Sequence, residues 1–193
     1  MQYRRQQSHH RILDVASRAL CRHGHAGVGV ASVMKEAGLT HGGFYAHFAS
    51  RDAMLAAAVD YAWTQSALRL REKMQTRMAG GDSPLHALVE EYLSGAHADM
   101  VDAGCPVAAL AGEMPRMDAG SHDASCKRML DLTALAREAL PPGSPPGAEF
   151  VITSTMIGAL QMARALDEAQ RDAILRACRQ ALISRYDRAT TIA

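Results

Sequence analysis

Aromatic residues are scarce in this chain. They make up 5% of its 193 residues, with a single Trp and three Phe. Strands favour aromatic and β-branched residues, whereas Ala, Leu and Met, all common here, favour helices. Proline is missing until Pro84, so nothing before it forbids a succession of helices. Cysteine is sparse as well: the four residues, at 21, 105, 126 and 178, show no Cys-x-x-Cys spacing. That argues against a disulfide framework and against the common zinc motifs. No apolar run is long enough to cross a bilayer, and no secretory leader is evident. These absences lead to an expectation of cytoplasmic localisation, reduced thiols, no resident metal or other cofactor, and no membrane partner.

What is present supports a real core. Hydrophobic residues reach 48% and charged residues 21%, a balance that excludes a disordered chain. The length suits one domain or a small domain joined to a larger one. Net charge is only +1, but it is unevenly spread. Residues 1–51 carry seven Arg or Lys against Asp14 and Glu36, a balance of +5, and the remainder carries −4. Six of the nine histidines (9, 10, 23, 25, 41 and 47) also fall in the basic part. A basic head on an acidic body suits an anionic partner for the head.

The apolar spacing predicts helices throughout and no strand alternation. A first helix is expected over about residues 8–24, with Ile12, Ala16, Ala19 and Leu20 inward. A short second runs from Val30 to Ala37, and Thr40 caps a third that reaches about Phe48. Ser50 opens a long fourth, to about Met78. Ser83 with Pro84, and Cys105 with Pro106, read as N-cap and first-turn pairs for the fifth and sixth helices. A seventh covers about 121–140, and two long helices at about 148–166 and 168–188 close the chain. Asp167 and Gln170 form a variant capping box for the last.

One stretch is chemically odd. LTHGGFYAHF, residues 39–48, puts Gly42 and Gly43 in the first turn of a helix, where each costs about 1 kcal/mol relative to alanine. Phe44 and Phe48 mark a core side, and Leu39 with Phe44 reads as a hydrophobic staple. The opposite side is then nearly bare backbone, edged by His41, Tyr45 and His47. A helix, a tight turn at Gly38 and a second helix make a helix-turn-helix. A bare helix face lets backbone enter a major groove, and polar edges can reach phosphates and bases.

RILDVASRALCRHG, followed by VASVMKEAGLTHGGFYAHFASRDAML, resembles the DNA-binding region of the TetR family of bacterial transcriptional regulators. The pattern is A-G-L-T, then G-x-F-Y-x-H-F, then Ser-Arg-Asp, over about residues 11–60. The resemblance implies an all-α fold: a three-helix DNA-binding head over residues 1–52 and a six-helix ligand-binding and dimerisation body over 53–193. It implies phosphate contacts from Thr40, Tyr45 and Arg51, base-facing positions at His41, Gly42 and Gly43, and His47 at the groove edge. It implies a homodimer through the last two helices, where Ser154, Gly158, Met162, Ile174, Cys178, Ala181 and Leu182 supply a broad apolar face. The expected partners are a double-stranded DNA operator and a small-molecule inducer. Two positions depart from the family's habit, His41 for Lys and Gly43 for Thr, Ser or Ala. Gly29 stands where a Ser or Thr cap for the second helix is usual.

Other groups carry weaker signals. Cys21, His23 and His25 could be read as metal ligands, but no fourth ligand is apparent. Cys105 stands at a helix N-cap, where the helix dipole favours thiolate, so it is expected to be the most reactive thiol and a candidate sensor of oxidants or electrophiles. Trp63, Tyr92, Cys105, Leu110, Met114 and Met156 are the candidate lining of an apolar ligand cavity. No Ser-His-Asp spacing, phosphate loop or carboxylate pair supports catalysis. The expected function is a regulator, a repressor released by an inducer. The alternatives are a nucleoid-associated structural protein and a helical small-molecule-binding protein or enzyme.

Overall fold

A computed structural model of the chain describes residues 2–187. Among these residues the chain forms nine α-helices and two 3-10 helices, and no strand. It divides into two compact units, residues 1–66 with 101–128, and residues 67–100 with 129–193. This division does not follow a cut after residue 52. Helix α3, Arg51–Ala79, runs through that point without a break.

The first unit holds α1 (Gln2–His23), α2 (Val30–Glu36), a 3-10 helix (His41–Ala46) and the start of α3. Helix α1 begins six residues earlier than expected, because the polar run before His9 contains no Pro or Gly to stop it. Its core face is as the spacing required, with Ile12, Ala16 and Leu20 fully buried. They pack with Val33, Met34, Phe44, Phe48, Met54 and Leu55 into one cluster. Leu110, from the short helix α6 (Pro106–Leu110), joins this same cluster. It is therefore a core residue of the head unit, and its assignment to a ligand cavity is corrected. A core built from a 66-residue stretch gains area when a later segment closes over it.

The turn after α2 follows from glycine at one position. Gly38 has φ +68°, a left-handed conformation that costs glycine nothing. Its amide donates to the carbonyl of Lys35 at 3.1 Å, and that of Leu39 donates to Met34 at 2.9 Å. This pair of bonds is a Schellman cap. It ends α2 and aims the chain into the third helix.

The second unit holds the rest of α3, α4 (Pro84–Tyr92), α5 (Gly95–Asp99), the rest of α7 (Ala119–Ala139), α8 (Ala148–Ala165) and α9 (Glu168–Tyr186). The expected caps form: Ser83 accepts from the His86 amide and Asp167 from the Gln170 amide. The short helix α5 was not foreseen. Ser94 opens it by accepting from the His97 amide at 3.1 Å. Helices α8 and α9 pack on each other and on α5. Arg164 donates to the carbonyls of Ala98 and Met100, and Arg171 pairs with Asp99 at 2.7 Å.

Candidate nucleic-acid interface

The third helix is 3-10 rather than α. Thr40 stands at its N-cap, but the hydroxyl makes no capping bond. Two consecutive glycines, with no side-chain cap, leave little to hold an α-turn open. The chain takes the tighter i to i+3 pattern instead, seen where the Gly43 amide meets the Thr40 carbonyl at 3.0 Å. Phe44 and Phe48 still anchor it. Both are buried, and their rings stack at 5.9 Å.

The outward face is as bare as the sequence suggested. Gly42 is exposed, and a Cβ there would meet nothing within 4 Å. Gly43 is half-buried, and a Cβ would touch the Thr40 hydroxyl and the Met34 methyl at 3.6 and 3.9 Å. His41 is exposed. Tyr45 is 73% exposed, although a ring of its size normally seeks cover. His47 is half-buried against α1, with its ring 6.0 Å from that of His9.

Arg51 is half-buried and bonded within its own unit. Its Nε donates to the Val28 carbonyl at 2.9 Å and its Nη2 to the His25 carbonyl at 2.5 Å. The guanidinium thus ties the α1–α2 turn to the start of α3 and positions the helix-turn-helix, where the sequence had suggested a phosphate contact. His25 holds the same turn from the other side. Its Nε2 lies 2.9 Å from Asp118 and 3.2 Å from the Ser121 hydroxyl, and its amide donates to Glu113 at 2.8 Å. His25 is therefore a structural clasp. Burial pushes the Asp118 carboxyl up, but the Ser121 amide and hydroxyl and His25 together hold it below its ordinary value. Gly24 completes the clasp. Its φ is +73°, and a Cβ there would lie 2.2 Å from a Glu113 oxygen.

Cys105 caps α6 as expected, yet its side chain forms no cap bond. It is only 2% exposed. A reagent reaches such a thiol only after local opening, so the expectation of the most reactive thiol is corrected: Cys126 and Cys178 are the more accessible pair. The remaining cavity candidates are all buried. Trp63 and Met114 belong to the first unit, Tyr92 and Met156 to the second. Tyr92 packs edge-on against His97 at 4.8 Å.

The expected dimer residues divide in two. Ser154, Met162 and Ala181 are exposed, and Gly158, Ile174 and Cys178 are half-buried. Leu182 is buried within its own unit. It is thus corrected from an interface residue to a core residue, because its turn of α9 faces inward with Leu175 and Tyr186. Sequence reasoning missed Phe150 and Val151 as exposed apolar residues of α8. Their spacing with Met162 around one arc of the helix was the available signal.

The geometry defines a helix-turn-helix protein with a close-approach face on its third helix, the arrangement of a DNA-binding protein. Residues 12–58 match the family model for bacterial regulatory proteins of the tetR family. The head thus resembles the DNA-binding region of that family, and the fold of the whole chain is similar to that of solved TetR-family regulators. It is similar to Escherichia coli NemR in a reduced form, at 18% identity, over 96% of this chain and 99% of that one, with a TM-score of 0.78. A TetR regulator from Chloroflexus aurantiacus is 21% identical over 94% and 95%, with a TM-score of 0.76. SCO4454, a TetR-family regulator from Streptomyces coelicolor, is 19% identical over 93% and 90%, with a TM-score of 0.72. No curated protein matches the chain significantly. No helix among the described residues is long and apolar enough to cross a membrane.

Proposed function

We propose that the chain is a one-component transcriptional repressor. It binds a roughly palindromic operator as a homodimer and is released by a small-molecule inducer. The observation that carries this is the third helix: an anchored 3-10 turn with an open, bare face at Gly42, edged by exposed His41 and Tyr45. Two copies in successive major grooves, about 34 Å apart, read two half-sites. Thr40 and Tyr45 contact phosphate, and His41, Gly42 and Gly43 face bases. The dimer supplies the two-fold symmetry, through the exposed arc of α8 together with Ile174, Cys178 and Ala181 of α9. An inducer works by binding one arrangement of the two heads better than the other, and shifts the equilibrium by that difference alone. The buried Cys105 thiol makes a non-covalent ligand the simpler inducer.

Gly42→Leu tests the reading. Space is open at that position, so the variant folds, but the new side chain holds the backbone off the groove. Fluorescence anisotropy on a duplex selected by the wild-type protein from genomic fragments is the measurement. Specific affinity is expected to fall by about 100-fold or more, equivalent to removing two base-edge hydrogen-bond pairs. A folded variant with unchanged affinity overturns the close-approach argument. A wild-type protein that selects no preferred sequence supports a nucleoid-type structural protein instead.

A further inference from the structure

Beside the third helix, basic side chains of α1 and His47 come together with no acidic partner among the described residues. Arg5, Gln6, His9, His10 and His47 line a recess of about 360 Å³. Arg5 donates from Nη2 to the Ala46 carbonyl at 2.6 Å, which fixes it at the C-terminal end of the helix expected to read DNA. His9 stacks on Phe48 with ring centroids 4.6 Å apart. His10 lies 6.5 Å from His9 on one side and 6.4 Å from Tyr61 on the other. The Nδ1 of His47 is buried and has no hydrogen-bond partner. Among the described residues, no carboxylate pairs with any of these four basic side chains. Asp14 and Glu36 line the neighbouring groove with His10, Arg11 and Tyr61, and Asp14 is paired with Arg18 at 3.0 Å.

Three imidazoles and a guanidinium share this recess with no acid between them. Charged together they repel, at a cost set by their spacing. We propose that this recess is a second seat for the phosphodiester backbone, in which Arg5, His9, His10 and His47 grip a phosphate flanking the base-reading helix. The inference rests on the DNA-binding reading and adds a contact from α1 to it. Without an anion the charged forms of His9 and His47 are disfavoured. Burial, then His47, His10 and Arg5, lower the pKa of His9, and burial followed by Arg5 lowers that of His47. A phosphate in the recess reverses the repulsion, so His9 and His47 take up protons as DNA binds. Arg5 keeps further N–H donors for the anion beyond the one given to Ala46.

The seat predicts two signatures that a purely structural cluster lacks. The first is proton uptake. Anisotropy with a random-sequence duplex and with the selected duplex, between about pH 5.5 and 8, should give affinity that rises as pH falls. The limit is about tenfold per pH unit for each proton taken up. His9→Gln with His47→Gln should flatten that dependence on both duplexes, with folding checked by circular dichroism. His10→Gln, at an exposed position, should reduce it without touching the Phe48 stack, and serves if the double variant does not fold. The second is the salt slope, which Arg5→Gln should reduce by about 0.9, the increment that accompanies neutralisation of one phosphate. Variants with wild-type pH dependence and salt slope overturn the seat. NMR of the histidine rings with inorganic phosphate at matched ionic strength is the remaining arm. A response equal to that with duplex overturns the backbone assignment in favour of a free-anion site. A response to duplex alone supports it. A wild-type protein that binds neither duplex defeats the DNA-binding reading itself, a different failure from that of the seat.

Discussion

Two exposed helix surfaces of this chain face solvent without an obvious reason to, and they are opposites. The third helix of the head shows bare backbone at Gly42, with histidine and tyrosine at its edges. Helix α8 of the second unit shows Phe150, Val151 and Met162, each about half exposed, around an open Gly158. An amphipathic helix normally hides its apolar side and covers the rest with charge. Here one helix gives up side chains and the other keeps apolar ones outside. The difference points to the partners. A bare, cation-edged surface suits a polyanion whose groove must be entered closely. An apolar arc suits another protein surface of the same kind, and α9 adds Ala173, Ala177 and Ala181 at four-residue spacing on its exposed side.

Exchanging the character of the apolar surface gives the largest expected effect. Phe150→Glu with Met162→Glu places two charges where the proposed dimer buries apolar area. Both positions are exposed within the chain, so each unit should still fold. Unpaired charge in a closed interface is severely penalised, and dimer affinity is expected to fall by on the order of 100-fold or more. Light scattering and sedimentation should report monomers, and specific DNA binding should disappear with the dimer. A double variant that stays dimeric places the interface on another face.

How much of this was legible in the sequence depends on the range of the interaction. Local patterns were readable: the helix order, the Ser83 and Asp167 caps, the Gly38 turn and the anchors Phe44 and Phe48. Interactions made across the chain were not. Leu110 was read as cavity lining, because nothing local says that a residue after Pro106 fills the core of the first 66. Arg51 looked like a phosphate contact because its guanidinium partners, the His25 and Val28 carbonyls, are invisible to side-chain patterns. Cys105 was placed correctly at an N-cap position and wrongly expected to be the most reactive thiol, since position in a helix does not fix burial. The third helix became 3-10 for a local reason that could have been weighed, two glycines with no capping bond.

The histidines sharpen the same contrast at the next level. In the head, His9 and His47 stay within reach of solvent and of a partner. In the second unit, His97 is buried, donates from Nδ1 to the Tyr92 carbonyl at 2.7 Å, and belongs to the fold alone. Burial, opposed by that hydrogen bond and aided by nearby cations, takes its pKa down to about 4. Between that value and the unfolded value of about 6.5, the unfolded chain binds the extra proton. Stability therefore falls as pH drops through this window, by about 3 kcal/mol from His97 when pH 4 is reached. Chemical denaturation across pH should show the loss, and His97→Gln should remove most of the slope while costing about 1 kcal/mol at neutral pH for the altered bond. A variant with the wild-type slope would assign the acid sensitivity to other groups.

The smallest effect separates two uses of one exposed ring. Tyr45 is the most exposed aromatic of the third helix, at 73%. Its ring packs edge-on to Phe44 at 5.3 Å, so the ring is oriented while the hydroxyl points to no partner among the described residues. Tyr45→Phe keeps the ring and deletes only the hydroxyl. If that group donates to a phosphate, the loss is one hydrogen bond to a charged acceptor at an exposed site, about 1 kcal/mol or roughly fivefold in affinity. Phosphates are the same in every sequence, so operator and random duplexes should weaken alike, and stability should not change. A loss confined to the selected duplex would make Tyr45 a reader of bases. No loss on either would leave the phosphate contacts of this face to Thr40 and to the cations of α1.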